Sequence, residues 1–170
     1  MMRLKTIDAH AAGEPLRLII EGFPSPRGAT MLEKREWLKR HADHLRRALM
    51  LEPRGHADMY GAILTEPVTP GSHAGVLFMH NEGYSTMCGH GIIALTTALI
   101  ETGTVAGVAP ITEIGYDTPA GFVLARAAVE HERRHVREGD PVDSDPAVRP
   151  FDPSRISPIV VERRRAQGER

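Results

Sequence analysis

The chain is short of cysteine, of net charge and of long apolar runs, and each shortage excludes something. Cys88 is the one cysteine among 170 residues, so no internal disulfide can form. A lone thiol fits a reducing compartment, and a cytoplasmic location is the expectation. The net charge is −1, which indicates neither a nucleic-acid stripe nor a polyacidic partner. No apolar run reaches the roughly 18 residues that a membrane helix needs. The opening Met1-Met2-Arg3-Leu4-Lys5-Thr6 has no apolar core of the kind a signal peptide carries, so none is expected. Internal repeats and heptads are also lacking.

What is present is a chain with 41% apolar residues, enough to build one core. Two short strands are expected at the start, from Leu4 to Ala9 and from Pro15 to Glu21, with His10 to Glu14 connecting them. Pro24, Pro26 and Gly28 then enforce a loop. Thr30 and Glu33 form a capping-box pair, Thr at N-cap and Glu at N3. The helix they open is expected to run unbroken to about Met50, with Leu32, Trp37, His41, Leu45, Ala48 and Leu49 as its apolar stripe. Its basic residues, including Lys34 and Arg46, interleave with Glu33, Glu36 and Asp43 and read as a solvated face. Pro53 and Gly55 end it. Met59 to Leu64 is apolar on both alternating faces, as a strand covered on both sides would be. Ala74 to Met79 reads as a further strand. Thr112 to Thr118 and Gly121 to Glu130 read as a pair joined at Pro119-Ala120. Short strands with few helices indicate an α+β domain.

The central stretch is Tyr84-Ser85-Thr86-Met87-Cys88-Gly89-His90-Gly91, followed by Ile92 to Ile100, which is apolar but for Thr96 and Thr97. A helix apolar on nearly every face belongs in the core, so a glycine-rich loop is expected to feed a buried helix ending near Gly103. Cys88 then sits at the helix N-terminus. The first amides there lack intrahelical partners and favour negative charge. Such a site, or a neighbouring imidazolium such as His90, can bring a thiol from about 8.5 down to roughly 3.5–7.5. Cys88 as base or nucleophile is one reading; a small buried hydrophobe is the other. A metal site is disfavoured, because no second ligand pair follows Cys88 and His90 at zinc-like spacing.

Four blocks, in order, carry a resemblance. They are Ile7-Asp8-Ala9-His10-Ala11-Ala12-Gly13-Glu14-Pro15, the segment Leu51 to Ala62, Phe78-Met79-His80-Asn81-Glu82-Gly83-Tyr84, and Met87-Cys88-Gly89-His90-Gly91. Together they resemble the proline racemase family of racemases, epimerases and hydroxyproline dehydratases. His10-Ala11-Ala12-Gly13 and the 45–59 block are most similar to the trans-3-hydroxy-L-proline dehydratase branch. The resemblance implies half of a diaminopimelate-epimerase-like fold: a mixed or antiparallel sheet wrapped around a central helix, with an additional surface helix. It implies Cys88 as the catalytic base and the Gly89 and His90 amides as ligands of a substrate carboxylate. His10, His56, Asp58 and Gly91 are supporting candidates, with His80 a further one. The implied substrate is hydroxyproline or proline, and neither metal nor organic cofactor is implied.

The resemblance ends near Arg137, so residues 1–137 are expected to form one domain. Residues 138–170 hold five prolines and Arg163-Arg164-Arg165, a composition expected to stay disordered. Ile159-Val160-Val161 is short and apolar enough to dock as a strand, but disorder is the expectation for it as for the rest of the tail. The family's second half, with the motif facing Cys88, has no counterpart, so a truncated half is the expectation. Dehydratases of this family keep one cysteine and racemases two, but the discriminating position lies in that second half. Proline racemase or 4-hydroxyproline epimerase chemistry therefore stays an alternative, as does an inactive remnant or binding module. A diaminopimelate-type epimerase fits the Cys88 wording less well. Exposure of an apolar face would also favour a homodimer that pairs two copies face to face.

Overall fold

The computed structural model describes residues 2–129 and the main chain of residues 160–163. Its strands are β1 (Lys5–Ala11), β2 (Glu14–Glu21), β3 (Tyr60–Thr65), β4 (Ala74–His80), β5 (Tyr84–Ser85), β6 (Ile111–Thr118), β7 (Gly121–Ala128) and β8 (Val160–Arg163). The helices are α1 (Met31–His41), α2 (Asp43–Met50) and α3 (Gly89–Glu101). One mixed sheet runs β1-β2-β3-β4-β6-β7-β8, with β5 paired to β4. The fold is α+β, as expected.

The alternation along β2, β3 and β4 divides two cores. Leu16, Leu18, Ala62, Val76 and Phe78 face α3, which contributes Ile92, Leu95, Ala98 and Leu99. Ile19, Ile63, Leu77 and Met79 face the other way, onto Met31, Leu38, Leu45, Leu49 and Met50 of α1 and α2. Successive strand residues point to opposite faces, so these strands are covered on both sides and need apolar residues throughout. The topology explains why the helices lie on opposite faces. β2 and β3 are parallel, as are β4 and β6, but β3 and β4 are antiparallel. Both crossovers step the same way across the sheet with opposite strand directions. The right-handed rule then places α1–α2 on one face and α3 on the other.

Four expectations need correction. The single surface helix is two: Ala42, at φ −130 and ψ 9, leaves the helical region and starts α2 anew. Leu38, Ala42, Leu45 and Leu49 are buried together, and the break lets both segments lie against the curved sheet. The capping box is present as expected, Thr30 Oγ1 accepting from the Glu33 amide at 3.2 Å. The first turn buries Met31, however, and leaves Leu32 exposed. Lys34 and Arg46 do not lie on a solvated face; each is only 6% exposed. Lys34 Nζ donates to Thr65 Oγ1 at 3.2 Å and to the Glu66 carbonyl at 2.5 Å. Arg46 pairs with Asp43 and donates to the carbonyls of His80 and Asn81 at 2.8 and 2.5 Å. Finally, β1 and β2 extend to a two-residue turn at Ala12 (φ 51) and Gly13 (φ 97). This is the backbone a tight hairpin requires, and it puts His10 in a strand rather than in a connection.

Of the tail, β8 pairs antiparallel with β7, Val160 opposite Arg126, where disorder was expected. The expectation of disorder for 138–170 otherwise lies outside the described residues.

Asp117, at 2% exposure, is the polar anchor of the far end. Its carboxylate accepts from the amides of Val68 and Thr69 at 2.7 and 2.8 Å and from Ser72 Oγ at 2.8 Å. Burial pushes its pKa up, but these donors outweigh burial and hold the carboxyl below its ordinary value. A depressed folded-state pKa stabilises above the unfolded value of about 3.9 and is lost as pH falls through the folded value. Asp117→Asn is therefore expected to cost about 1–3 kcal/mol at neutral pH. It should also flatten the loss of stability on acidification. Thermal melts of both proteins from neutral pH down to about pH 3 check this; parallel curves would contradict it.

Candidate active site

The ends of several elements meet at the N-terminus of α3. The β1–β2 hairpin brings Ala11 opposite Glu14, and the β3–β4 pairing brings Tyr60 opposite His80. β5 then leads through Thr86 and Met87 to Cys88. Arg46 fixes this approach: it grips the His80 and Asn81 carbonyls, and its guanidinium lies 6.0 Å over the Tyr84 ring. Asn81 Nδ2 donates to the carbonyls of Met50 and His56.

Cys88 is the N-cap of α3, with extended backbone at φ −142 and ψ 117. Its sulfur takes the role usually played by a serine or aspartate oxygen, accepting from the Gly91 amide at 3.3 Å. The His90 ring lies against it, Nδ1 at 3.3 Å from Sγ. Gly91 is required sterically. A Cβ there would lie 2.6 Å from Phe78 Cε1 and 3.1 Å from Cys88 Sγ, and Phe78 is fully buried. A Cβ on Gly89 would meet nothing within 4 Å. The first turn of α3 thus packs tightly on its inner side and is open at Gly89.

Cys88 is 7% exposed and joins the α3 core cluster. The expectation of a lowered thiol pKa is not met in this chain. Burial pushes the thiol up; the Gly91 amide opposes it, the Glu14 charge adds to it, and the His90 amide and Tyr60 hydroxyl pull down. Desolvation of the thiolate outweighs the hydrogen bonds that favour it.

The remaining candidates divide. His10 Nδ1 accepts from the Gly13 amide at 3.2 Å and supports the hairpin turn. His56 Nδ1 contacts the Ala57 carbonyl at 2.6 Å, and Asp58 holds a left-handed φ of 63 just before β3. Both shape the α2–β3 connection. His80 stacks on Tyr60 with ring centroids 5.4 Å apart. Tyr60 and Glu14 are the neighbours of Cys88 that sequence reasoning missed. The one signal was a hydroxyl at the mouth of an otherwise apolar strand. Among the described residues no group of three or more His, Cys, Asp or Glu side chains is placed to hold a metal, and no helix is long and apolar enough to cross a membrane.

A half-fold with a cysteine-capped central helix defines a class, and the comparison with known proteins agrees: residues 6–139 match the proline racemase family, and the chain belongs to it. Trans-3-hydroxy-L-proline dehydratase of Burkholderia cenocepacia is 55% identical over 122 residues, which are 72% of this chain and 36% of that protein. The 3-hydroxyproline 2-epimerase of Burkholderia multivorans is also 55% identical, with the same coverage. The chain thus spans about a third of the length of the curated relatives it matches. Among solved structures, a hydroxyproline epimerase from Agrobacterium vitis, with trans-4-hydroxy-L-proline bound, superposes with a TM-score of 0.70 at 29% identity. That match covers 75% of this chain and 38% of the epimerase.

The two glycines are expected to respond oppositely. Gly91→Ala should destabilise by about 1–3 kcal/mol through overpacking, despite the better helix propensity of alanine. Gly89→Ala should leave stability unchanged or raise it by up to about 1 kcal/mol. Denaturant midpoints of the two variants decide the matter; equal shifts would refute the crowding at Gly91.

Proposed function

We propose that this chain is the Cys88-bearing half of a cofactor-independent enzyme acting at the Cα of a hydroxyproline, with trans-3-hydroxy-L-proline dehydration as the reaction. The observation that carries the reading is Cys88 Sγ at the head of α3, hydrogen-bonded to the Gly91 amide, beside a first turn left open at Gly89. In the proposed reaction Cys88 thiolate takes the α-proton. The electron pair is held against the substrate carboxylate, bound by the Gly89 and His90 amides. Loss of the 3-hydroxyl as water forms the C2=C3 double bond, and the resulting enamine tautomerises to pyrroline-2-carboxylate. The acid that protonates the leaving hydroxyl belongs to the second half of the enzyme. His10, His56 and Asp58 support the surrounding loops and hairpin, and the reaction calls for no metal or organic cofactor.

Epimerisation is the second reading, because a 3-hydroxyproline 2-epimerase matches at the same identity as the dehydratase. There, a second base on the opposite wall would return a proton to Cα. For the chain by itself, the raised thiol favours a wall that binds a carboxylate without turning it over. A homodimer pairing two copies is the route by which this chain would rebuild a two-walled cleft.

Replacing the cysteine equivalent to Cys88 by alanine in a full-length relative should cut turnover of trans-3-hydroxy-L-proline by about 10²–10⁴-fold; near-normal turnover would exclude the base role. The purified 170-residue chain should form no detectable pyrroline-2-carboxylate from the same substrate. Robust turnover by the chain, running as a monomer in sedimentation, would overturn the one-wall reading.

A further inference from the structure

β2 and β3 separate after a short ladder. Their parallel pairing runs from Arg17 opposite Gly61 to Ile19 opposite Ile63 and no further. Beyond it β2 follows β1 to Glu21, and β3 follows β4 to Thr65. The wedge between them is a cleft of about 500 Å³, with Ile20, Phe23, Leu64 and Pro67 among its walls. Lys34, from the first turn of α1, belongs to the same lining although it is only 6% exposed. Its ammonium has three hydrogens, and the contacts to Thr65 Oγ1 and the Glu66 carbonyl take two of them. Both acceptors are neutral, and among the described residues Lys34 has no carboxylate partner. We propose that this cleft binds a small organic monocarboxylate, whose oxygen takes the third hydrogen of Lys34 and whose apolar body rests on the side chains at the strand ends.

A charge withdrawn from water is costly unless it is paired. Arg17 and Arg46 each hold an aspartate, Asp8 and Asp43; Lys34 differs from them in lacking a counter-charge. The class of ligand follows from the lining. One buried cation suits one negative charge. Glu21 and Glu66 are exposed in the same lining, and their carboxylates oppose a dianion such as phosphate more than a monoanion. His73, also exposed there, adds a donor: its Nδ1 accepts from the Gly115 amide at 3.0 Å, which leaves the hydrogen of the neutral ring on Nε2. Apolar walls with a few polar groups favour a ligand with a hydrocarbon body over a bare ion. The cleft lies at the far end of β2 from Glu14, whose charge acts on Cys88. The six residues of strand from Glu14 to Ile20 span roughly 20 Å, so an occupant touches none of the candidate catalytic residues. The site is therefore independent of the proposed reaction.

The test is a titration of the purified, isotope-labelled 170-residue chain with cyclopentanecarboxylate at neutral pH, followed by backbone amide NMR shifts. Saturable shifts are expected at residues 20–23 and 64–66, with a dissociation constant on the order of 1 mM. Cyclopentylmethanol, of the same shape but uncharged, should bind at least about tenfold more weakly, the worth of one charge-assisted hydrogen bond. Lys34→Met keeps the length of the side chain and removes its charge; it should weaken carboxylate binding by a similar factor. Inorganic phosphate should bind more weakly than the carboxylate. Shifts that stay linear, that fall at Gly89 and His90 instead, that the alcohol reproduces or that Lys34→Met leaves intact overturn the site, and phosphate binding as tightly as the carboxylate overturns the ligand class. The alcohol comparison needs only the unsubstituted chain, so the test holds even where Lys34→Met does not fold. No turnover is measured, so failure here leaves the Cys88 reading standing, and failure of that reading leaves the cleft standing.

Discussion

Phe78 and the Cys88 sulfur share the space above Gly91, and the position of α3 depends on that close approach. No side chain fits at residue 91, so the first turn of the helix settles onto β4 until Phe78 and the sulfur touch its backbone. The same approach lets the Gly91 amide reach Sγ at 3.3 Å. Core packing and site geometry are therefore one contact. The cap that starts the helix is also the atom proposed to react.

The electrostatics of that atom are a contest between burial and donors. A helix N-terminus typically favours a negative charge by about 0.3–1 kcal/mol, and the Gly91 amide and Tyr60 hydroxyl act in the same direction. Withdrawal of the thiolate from water outweighs them, and the nearby Glu14 carboxylate adds to the balance against ionisation. Burial thus keeps the Cys88 sulfur on the thiol side of its ordinary balance in this structure.

Buried and half-buried charges hold the frame around this site. Arg46 ties α2 to the turn between β4 and β5, and Lys34 ties α1 to the end of β3. Arg17 binds Asp8 through both carboxylate oxygens and also the carbonyls of Leu49 and Arg54. Asp117 gathers the loop between β3 and β4. Each buried charge is matched by carbonyls, amides or an opposite charge, as a low-dielectric setting demands. Their partners are mostly main-chain atoms distant in sequence, which is why interleaved acidic residues nearby made Lys34 and Arg46 read as a solvated face.

What the amino-acid sequence determined alone is local in origin. Thr30 and Glu33 announced α1, the two-sided apolar run from Met59 to Leu64 announced a covered strand, and Ile92 to Ile100 announced a core helix headed by Cys88. These follow from period and capping, which act over a few residues. Tertiary structure alone decided the break at Ala42, the burial of Lys34 and Arg46, and the approach of Tyr60 and Glu14 to the Cys88 end of α3. It also decided the direction in which the thiol is pushed, because desolvation is the sum of all atoms packed nearby. Chain-distant neighbours and the water they exclude leave no periodic trace along a sequence.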